Sequence, residues 1–179
     1  MLSIGIDYSL TSPCVCVNTD NTFANSKFYF LTDKKSLVGW VYPNIVGTAH
    51  SEYSVESQRY ENISNWVLSC IPQKTEGMRI TIEDYSFGSK GKVFHIAENC
   101  GVLKYNLYKM SYTYDTVPPT VVKKFATGKG NATKDVMYEQ FVKDTGIKLH
   151  DHISPKAKLN SPTTDIVDAW YIAKYSMTI

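Results

Sequence analysis

The sequence predicts a mixed α/β domain in which a five-stranded sheet is flanked by helices. Two observations carry this. Three short β-rich runs follow one another at the N-terminus, joined only by turns. Beyond residue 54 helical-period segments alternate with short apolar runs, the arrangement expected when helices cover the faces of a sheet. At 179 residues the chain is read as one domain, 1–179, long enough for a sizeable hydrophobic core.

The elements follow in order. Residues 2–8 read as a buried strand. Residues 13–18 and 22–31 read as two more, joined by the turn Thr19-Asp20-Asn21-Thr22, so the first three strands form a meander. Residues 33–53 read as irregular, with Gly39, Pro43 and Gly47 as breakers. Ile63, Trp66, Val67, Cys70 and Ile71 are spaced for a helix from Val55 to Ile71. Pro72 and Gly77 separate it from a strand, Met78 to Glu83. Tyr85 to Lys92 is a glycine-containing loop. Val93, Ile96, Ala97, Cys100, Leu103 and Leu107 then make one stripe along a helix from Val93 to Lys109. A strand at Tyr112 to Val117 follows, and Pro118 and Pro119 open a short helix to Ala126. A glycine turn, Thr127 to Asn131, leads into a helix from Thr133 to Thr145. Residues 146–161 read as a polar loop, and Ser161 is placed to cap the last helix with Pro162 at its first position.

Composition excludes several classes. No apolar run approaches the roughly 20 residues of a membrane span, so no membrane partner is expected. The N-terminus has no basic region or cleavage signal, and a strand beginning at residue 2 argues against a removed leader. Cys14, Cys16, Cys70 and Cys100 form no CxxC pair and no zinc spacing; reduced, buried thiols of a cytoplasmic protein account for them. Cys14 and Cys16 alternate with valines and are expected on one strand face. The formal net charge is +2, but residues 90–160 hold twelve lysines against six acids. A lysine-rich half beside an acidic site suits a polyanion, and a solvated surface has the same composition. Lys34 lies outside this half and is expected to matter little for such a partner.

Four carboxylates stand out. Asp7 ends the first strand, Glu83 ends the strand after the first helix, and Asp165 and Asp168 lie three apart at the start of the last helix. Asp165 and Asp168 project to neighbouring angles on one helix face, at the margin of the apolar arc Ile166, Ala169, Trp170, Ile172 and Ala173. Carboxylates gathered this way suit Mg²⁺, which takes hard oxygen ligands. Two such ions can activate water and stabilise the leaving oxygen of a phosphodiester. Helix-dipole complementarity is the competing reading; it explains Asp165 well and Asp168 less well. Between the two helices of the lysine-rich half, Gly128-Lys129-Gly130 exposes backbone N–H groups next to a helix N-terminus, which favours phosphate. It lacks the Walker spacing, and a glycine-capped helix–helix turn reads equally from these residues.

Taken together these segments resemble the RuvC family of Holliday junction resolvases, within the retroviral-integrase and RNase H superfamily. Ile4-Gly5-Ile6-Asp7 is similar to the first catalytic strand and Ile82-Glu83 to the second catalytic position. Val122-Lys123-Lys124, followed by Gly128 to Lys134, resembles the lysine and glycine segment, and Asp165-Ile166-Val167-Asp168-Ala169 the terminal DxxDA helix. The motifs occur in family order over nearly the whole chain. The resemblance implies an RNase H-like fold and a metal-dependent crossover junction endodeoxyribonuclease that resolves four-way junctions by paired symmetric nicks, leaving a 5′-phosphate. It implies Asp7, Glu83, Asp165 and Asp168 as catalytic residues and ligands of two Mg²⁺ ions per site, with Mn²⁺ able to substitute. It implies Lys123 and Lys134, with Lys124 and Lys129, as DNA-binding residues. Phe87, or Tyr85 in its place, would stack on a base near the crossover. A homodimer acting on branched DNA is expected, in a bacterial cytoplasm or a viral replication compartment.

The chain departs from the family where Asp7 is followed by Tyr8-Ser9-Leu10 instead of proline and glycine, and in the longer segment 33–53. Both suit a phage or viral relative. His50, His95, His150 and His152 match no part of the pattern. Two alternatives stay open: a nuclease of the same fold with broader taste for flaps and forks, and an actin- or sugar-kinase-like ATP-binding protein.

Overall fold

A computed structural model describes residues 1–84 and 93–179. Its centre is a mixed seven-stranded sheet in the order β4-β5-β3-β2-β1-β6-β7. The strands are β1 (Ser3–Asp7), β2 (Cys14–Asn18), β3 (Lys27–Thr32), β4 (Gly39–Tyr42), β5 (Ile45–Ala49), β6 (Arg79–Glu83) and β7 (Asp115–Val117). The helices are α1 (Glu56–Cys70), α2 (Val93–Lys109), α3 (Pro119–Thr127), α4 (Lys134–Thr145), α5 (Leu149–Ile153) and α6 (Thr163–Ser176). β1, β2 and β3 form the expected antiparallel meander. β6 and β7 then add in parallel beside β1.

The period-2 alternation of the strands sorts side chains into two cores. Ile4, Ile6, Val15, Val17, Ile80 and Ile82 pack under α1 and α2. Cys14 and Cys16, on one face as expected, pack with Phe28, Phe30 and the buried side of α3, α4, α5 and α6. On β1, the residues facing α6 are therefore Ser3, Gly5 and Asp7. Ser3 Oγ donates to Ala173 O at 2.9 Å. A Cβ on Gly5 would collide with Ala169 O and Ala173 N and lie 2.9 Å from Ala173 Cα. On β6, Thr81 Oγ1 donates to Ser176 Oγ at 2.9 Å. Small or hydrogen-bonding residues at Ser3 and Gly5 on β1 and Thr81 on β6 thus let α6 lie directly on the sheet.

The sheet has seven strands where five were expected. The additional pair comes from segment 33–53, which is ordered: a 3-10 turn at Lys35–Leu37, then a hairpin of β4 and β5 laid parallel on the outer edge of β3. Its apparent breakers are local requirements of the hairpin. Gly39 takes a φ of +102°, and Gly47 sits so close to Leu37 O and the Phe30 ring that no side chain fits. Pro43 and Asn44 form the turn, where Asn44 Nδ2 donates to Phe23 O and Ser26 O.

Other bounds shift for similar reasons. β3 begins at Lys27, later than the expected 22, because the Asp20 carboxylate accepts bonds from the Thr22 amide, the Thr22 hydroxyl and Asn25, folding that stretch into a turn. Phe23 contributes a ring to the core instead, edge-on to Phe141 and Trp170. β7 keeps only Asp115–Val117 of the expected 112–117, since Tyr112 N–H closes back on Leu107 O. The polar loop 146–161 contains the short helix α5. α6 starts at Thr163 with no side-chain cap; the Ser161 hydroxyl accepts from Ser12 Oγ at 3.2 Å instead. Among the described residues, no helix is long and apolar enough to cross a membrane.

Candidate active site at the carboxyl end of the central strands

β1, β3, β5, β6 and β7 all run the same way, so their carboxyl ends share one rim of the sheet. Open α/β sheets bind ligands at such a rim. Asp7 and Glu83 stand one residue beyond the last β1–β6 pair, Ile6 and Ile82, on the α6 side. α6, seated on Gly5, carries Asp165 and Asp168 across from them. All four acids line one cleft of about 350 Å³, together with Ser9, Thr11, Ser12, Pro119, Lys123, Lys134, Met137 and Ser161.

Of the expected phosphate-binding lysines, Lys123 and Lys134 wall this cleft; Lys124 and Lys129 are exposed outside its walls. Lys123 points from α3, which Pro119 opens and Gly128 ends in the left-handed conformation (φ +79°). Gly128 is thus accounted for by helix termination. Lys134 is the first residue of α4, just after the N-cap Thr133. Its ammonium donates to Thr164 Oγ1 at 3.2 Å, and that hydroxyl donates to Asp165 Oδ1 at 3.2 Å. A lysine–threonine–aspartate chain therefore ties α4 to the acidic face of α6. Phe87 and Tyr85 lie outside the described residues.

The acids are crowded and desolvated. Burial, then repulsion from Glu83, Asp165 and Asp168, holds the Asp7 carboxyl well above the usual carboxylate range, against the pull of Lys134. Burial and then Asp168 push Glu83 up to about 8, opposed by Lys123 and Lys134. Burial and then Asp165 push Asp168 up to about 6 against the same two lysines. Two ammonium groups leave four carboxylates undercompensated. Among the described residues no three His, Cys, Asp or Glu groups already stand closed around one point as a metal cage. The donor set nevertheless fits a divalent cation. All donors are hard oxygens, and the buried Oδ2 of Asp165 has no hydrogen-bond partner. Cys14 is no competitor: burial and the nearby Asp7 and Asp165 keep its thiol protonated.

The hydroxyl wall of Ser9, Thr11, Ser12 and Ser161 was not anticipated. Its signal lay in Ser9-Leu10-Thr11-Ser12 directly after Asp7. Single hydroxyls in a turn carry no distinctive spacing. Two side chains brace this loop from behind: Arg59 Nη2 donates to Leu10 O at 2.9 Å, and His50 Nε2 lies 2.9 Å from Thr11 O.

No protein-family model matches the sequence, and no curated protein matches it. Solved structures do. The structure of Thermus thermophilus RuvC aligns over 97% of this chain and 91% of its own at a TM-score of 0.59 and 18% identity. T. thermophilus RuvC in complex with a Holliday junction substrate aligns over 97% and 90% at 0.60 and 15% identity. The yeast mitochondrial Holliday junction resolvase Ydc2 aligns over 98% and 77% at 0.57 and 15% identity. These likenesses span almost the whole chain, and its fold is that of the RuvC and Ydc2 resolvases.

Proposed function

We propose that this protein is a metal-dependent, structure-selective DNA endonuclease that resolves four-way junctions by paired nicks. One observation carries the reading: four acids from three separate elements meet two lysines in a single cleft. Asp7, Glu83, Asp165 and Asp168 would hold divalent cations, Mg²⁺ with Mn²⁺ as a substitute. When bound, such ions supply the Lewis acidity that activates water and stabilises the departing 3′ oxygen. Lys123 and Lys134 hold the phosphate that approaches the acids, which would otherwise repel it. The Thr164 hydroxyl fixes both the Lys134 ammonium and Asp165, so the cation and anion binding groups keep their relative positions. Phe87, with Tyr85 as the other candidate, stacks on a base freed at the crossover.

Two symmetric nicks need two sites, and a twofold homodimer supplies them. The apolar stripe of α2 is core: Cys100, Leu103 and Leu107 are buried. A different face of the same helix is exposed among the described residues. Phe94, Tyr105 and Tyr108 are 80%, 60% and 74% exposed, and at 3.6 residues per turn they fall with Gly101 in an arc of about 60°. This aromatic face supports α2 as the dimer element.

The test is incubation with end-labelled four-way junctions, forks and flaps, with and without Mg²⁺. Symmetric nicks in the junction that require the metal are expected. Equal cutting of all branched substrates would favour the broader nuclease, and no cutting of any would end the proposal.

A further inference from the structure

A second cleft adjoins the acidic one. It measures about 210 Å³ and is lined by Thr11, Ser12, Leu31, Thr32, Asp33, Lys34, Ser161 and Pro162. Thr11, Ser12 and Ser161 wall both clefts, so the two are separated only by a ridge of hydroxyl-bearing residues. The first cleft lies at the carboxyl ends of β1 and β6, the second at those of β1 and β3. Both open on the same rim of the sheet. Resting on the nuclease reading, we infer that the DNA strand entering the acidic cleft continues over the Thr11–Ser12 ridge, and that the second cleft takes its next backbone phosphate on Lys34.

Several features suit a nucleotide backbone. The second cleft is smaller than the roughly 300 Å³ or more typical of a small-molecule pocket, and it is a groove continuous with another. Its walls combine Leu31 and Pro162, which offer apolar surface to a sugar or base, with the hydroxyls of Thr11, Ser12, Thr32 and Ser161 and the Lys34 ammonium. Hydroxyls and lysines are the side chains that take up phosphate oxygens and set register. The ridge is fixed in advance. Arg59 and His50 hold the Leu10 and Thr11 carbonyls from behind, and Ser12 Oγ donates to Ser161 Oγ at 3.2 Å. Lys34 is fixed at its base, since its amide donates to Thr32 Oγ1 at 3.1 Å. Its side chain is exposed and free to reach a phosphate. Asp33 brings one acid to the same wall, set against Lys34. Charge along the sequence hides this site, because Lys34 lies in the acidic part of the chain; only the fold carries it beside the lysine-lined cleft.

The experiment measures binding of a labelled four-way junction to the full-length protein without divalent metal, across a salt series. Lys34→Ala should weaken binding several-fold and lower the salt slope by about one, as loss of one phosphate contact does. Lys27→Ala, exposed at the opposite end of β3, should change neither. Asp33→Asn should tighten binding. Single neutral methylphosphonate linkages, placed one at a time near the crossover, then locate the contact. One position next to the mapped cut should weaken the wild type and have no further effect in Lys34→Ala. If Lys34→Ala matches Lys27→Ala, or every methylphosphonate effect persists in it, the second subsite is overturned while the nuclease reading stands. If the wild type binds no DNA, both fall.

Discussion

Gly5 of β1 and Ala173 of α6 occupy what would otherwise be one volume: the Ala173 backbone sits where any side chain at residue 5 would be. This contact sets the height of α6 above the sheet, and so how near Asp165 and Asp168 come to Asp7. Gly5→Ala should therefore lower stability by about 1–3 kcal/mol, the usual range for overpacking. It should also reduce cleavage in protein that is still folded at the assay temperature. Thermal unfolding together with single-turnover nicking checks both; unchanged nicking would mean α6 is positioned by other contacts.

Asp7→Asn, Glu83→Gln, Asp165→Asn and Asp168→Asn should each abolish cleavage while junction binding survives. Each removes a charge from the acidic cleft and leaves Lys123 and Lys134 in place. Gel-shift and cleavage assays on the same preparations decide it. Near wild-type nicking by any two variants is incompatible with a four-ligand site.

The raised carboxyls make stability depend on pH in a defined direction. Glu83 titrates near 8 in the fold against an ordinary 4.5, and Asp168 near 6 against 3.8. Between those values the folded state binds more protons than the unfolded state. Their contribution is fully present below the ordinary values and is lost as pH rises through the folded ones. Metal-free protein should thus lose stability from about pH 4 to about pH 8, and Glu83→Gln should flatten that slope. Mg²⁺ should raise the melting temperature more at the alkaline end, where the acids are ionised and crowded. A metal-free protein most stable near pH 8 would contradict the electrostatic account.

Lys123→Ala and Lys134→Ala should weaken junction binding and each lower the salt slope by about one. Lys134→Ala should cost more cleavage than binding, because it also frees Thr164 beside Asp165. Equal losses in the two variants, in both assays, would remove the positioning role of the lysine–threonine–aspartate chain.

Tyr108→Glu should shift a dimer toward monomer in sedimentation while circular dichroism shows the monomer still folded, since Tyr108 is 74% exposed in the single chain. If the variant stays dimeric, the α2 aromatic face is not the contact.

Much of this architecture was legible in the residues. α2 matches its apolar stripe at both ends, and Asp7, Glu83, Asp165 and Asp168 meet because strand alternation and helix spacing are local, periodic properties. What was not legible depended on partners distant in sequence. β4 and β5 are short and glycine-containing, and become strands only because β3 offers them an edge. Ser161 lost its capping role to Ser12, 149 positions away. Lys34 looked irrelevant because its place beside the acidic cleft exists only once β3 is aligned with β1.

The hairpin of β4 and β5 has a consequence for the behaviour of the protein in concentrated solution. Without it, β3 would be the bare margin of the sheet, presenting the uncharged aromatic run Phe28-Tyr29-Phe30-Leu31 to other molecules. Such a run on an open margin is a template for fibril growth. β5 pairs with all of it, and the new margin, β4, is only four residues long with a register break between Trp40 and Tyr42. An irregular, short outer strand recruits further chains poorly. The hairpin therefore works as a guard against self-polymerisation, and protein lacking residues 38–49 should seed amyloid-like aggregates where the intact chain does not.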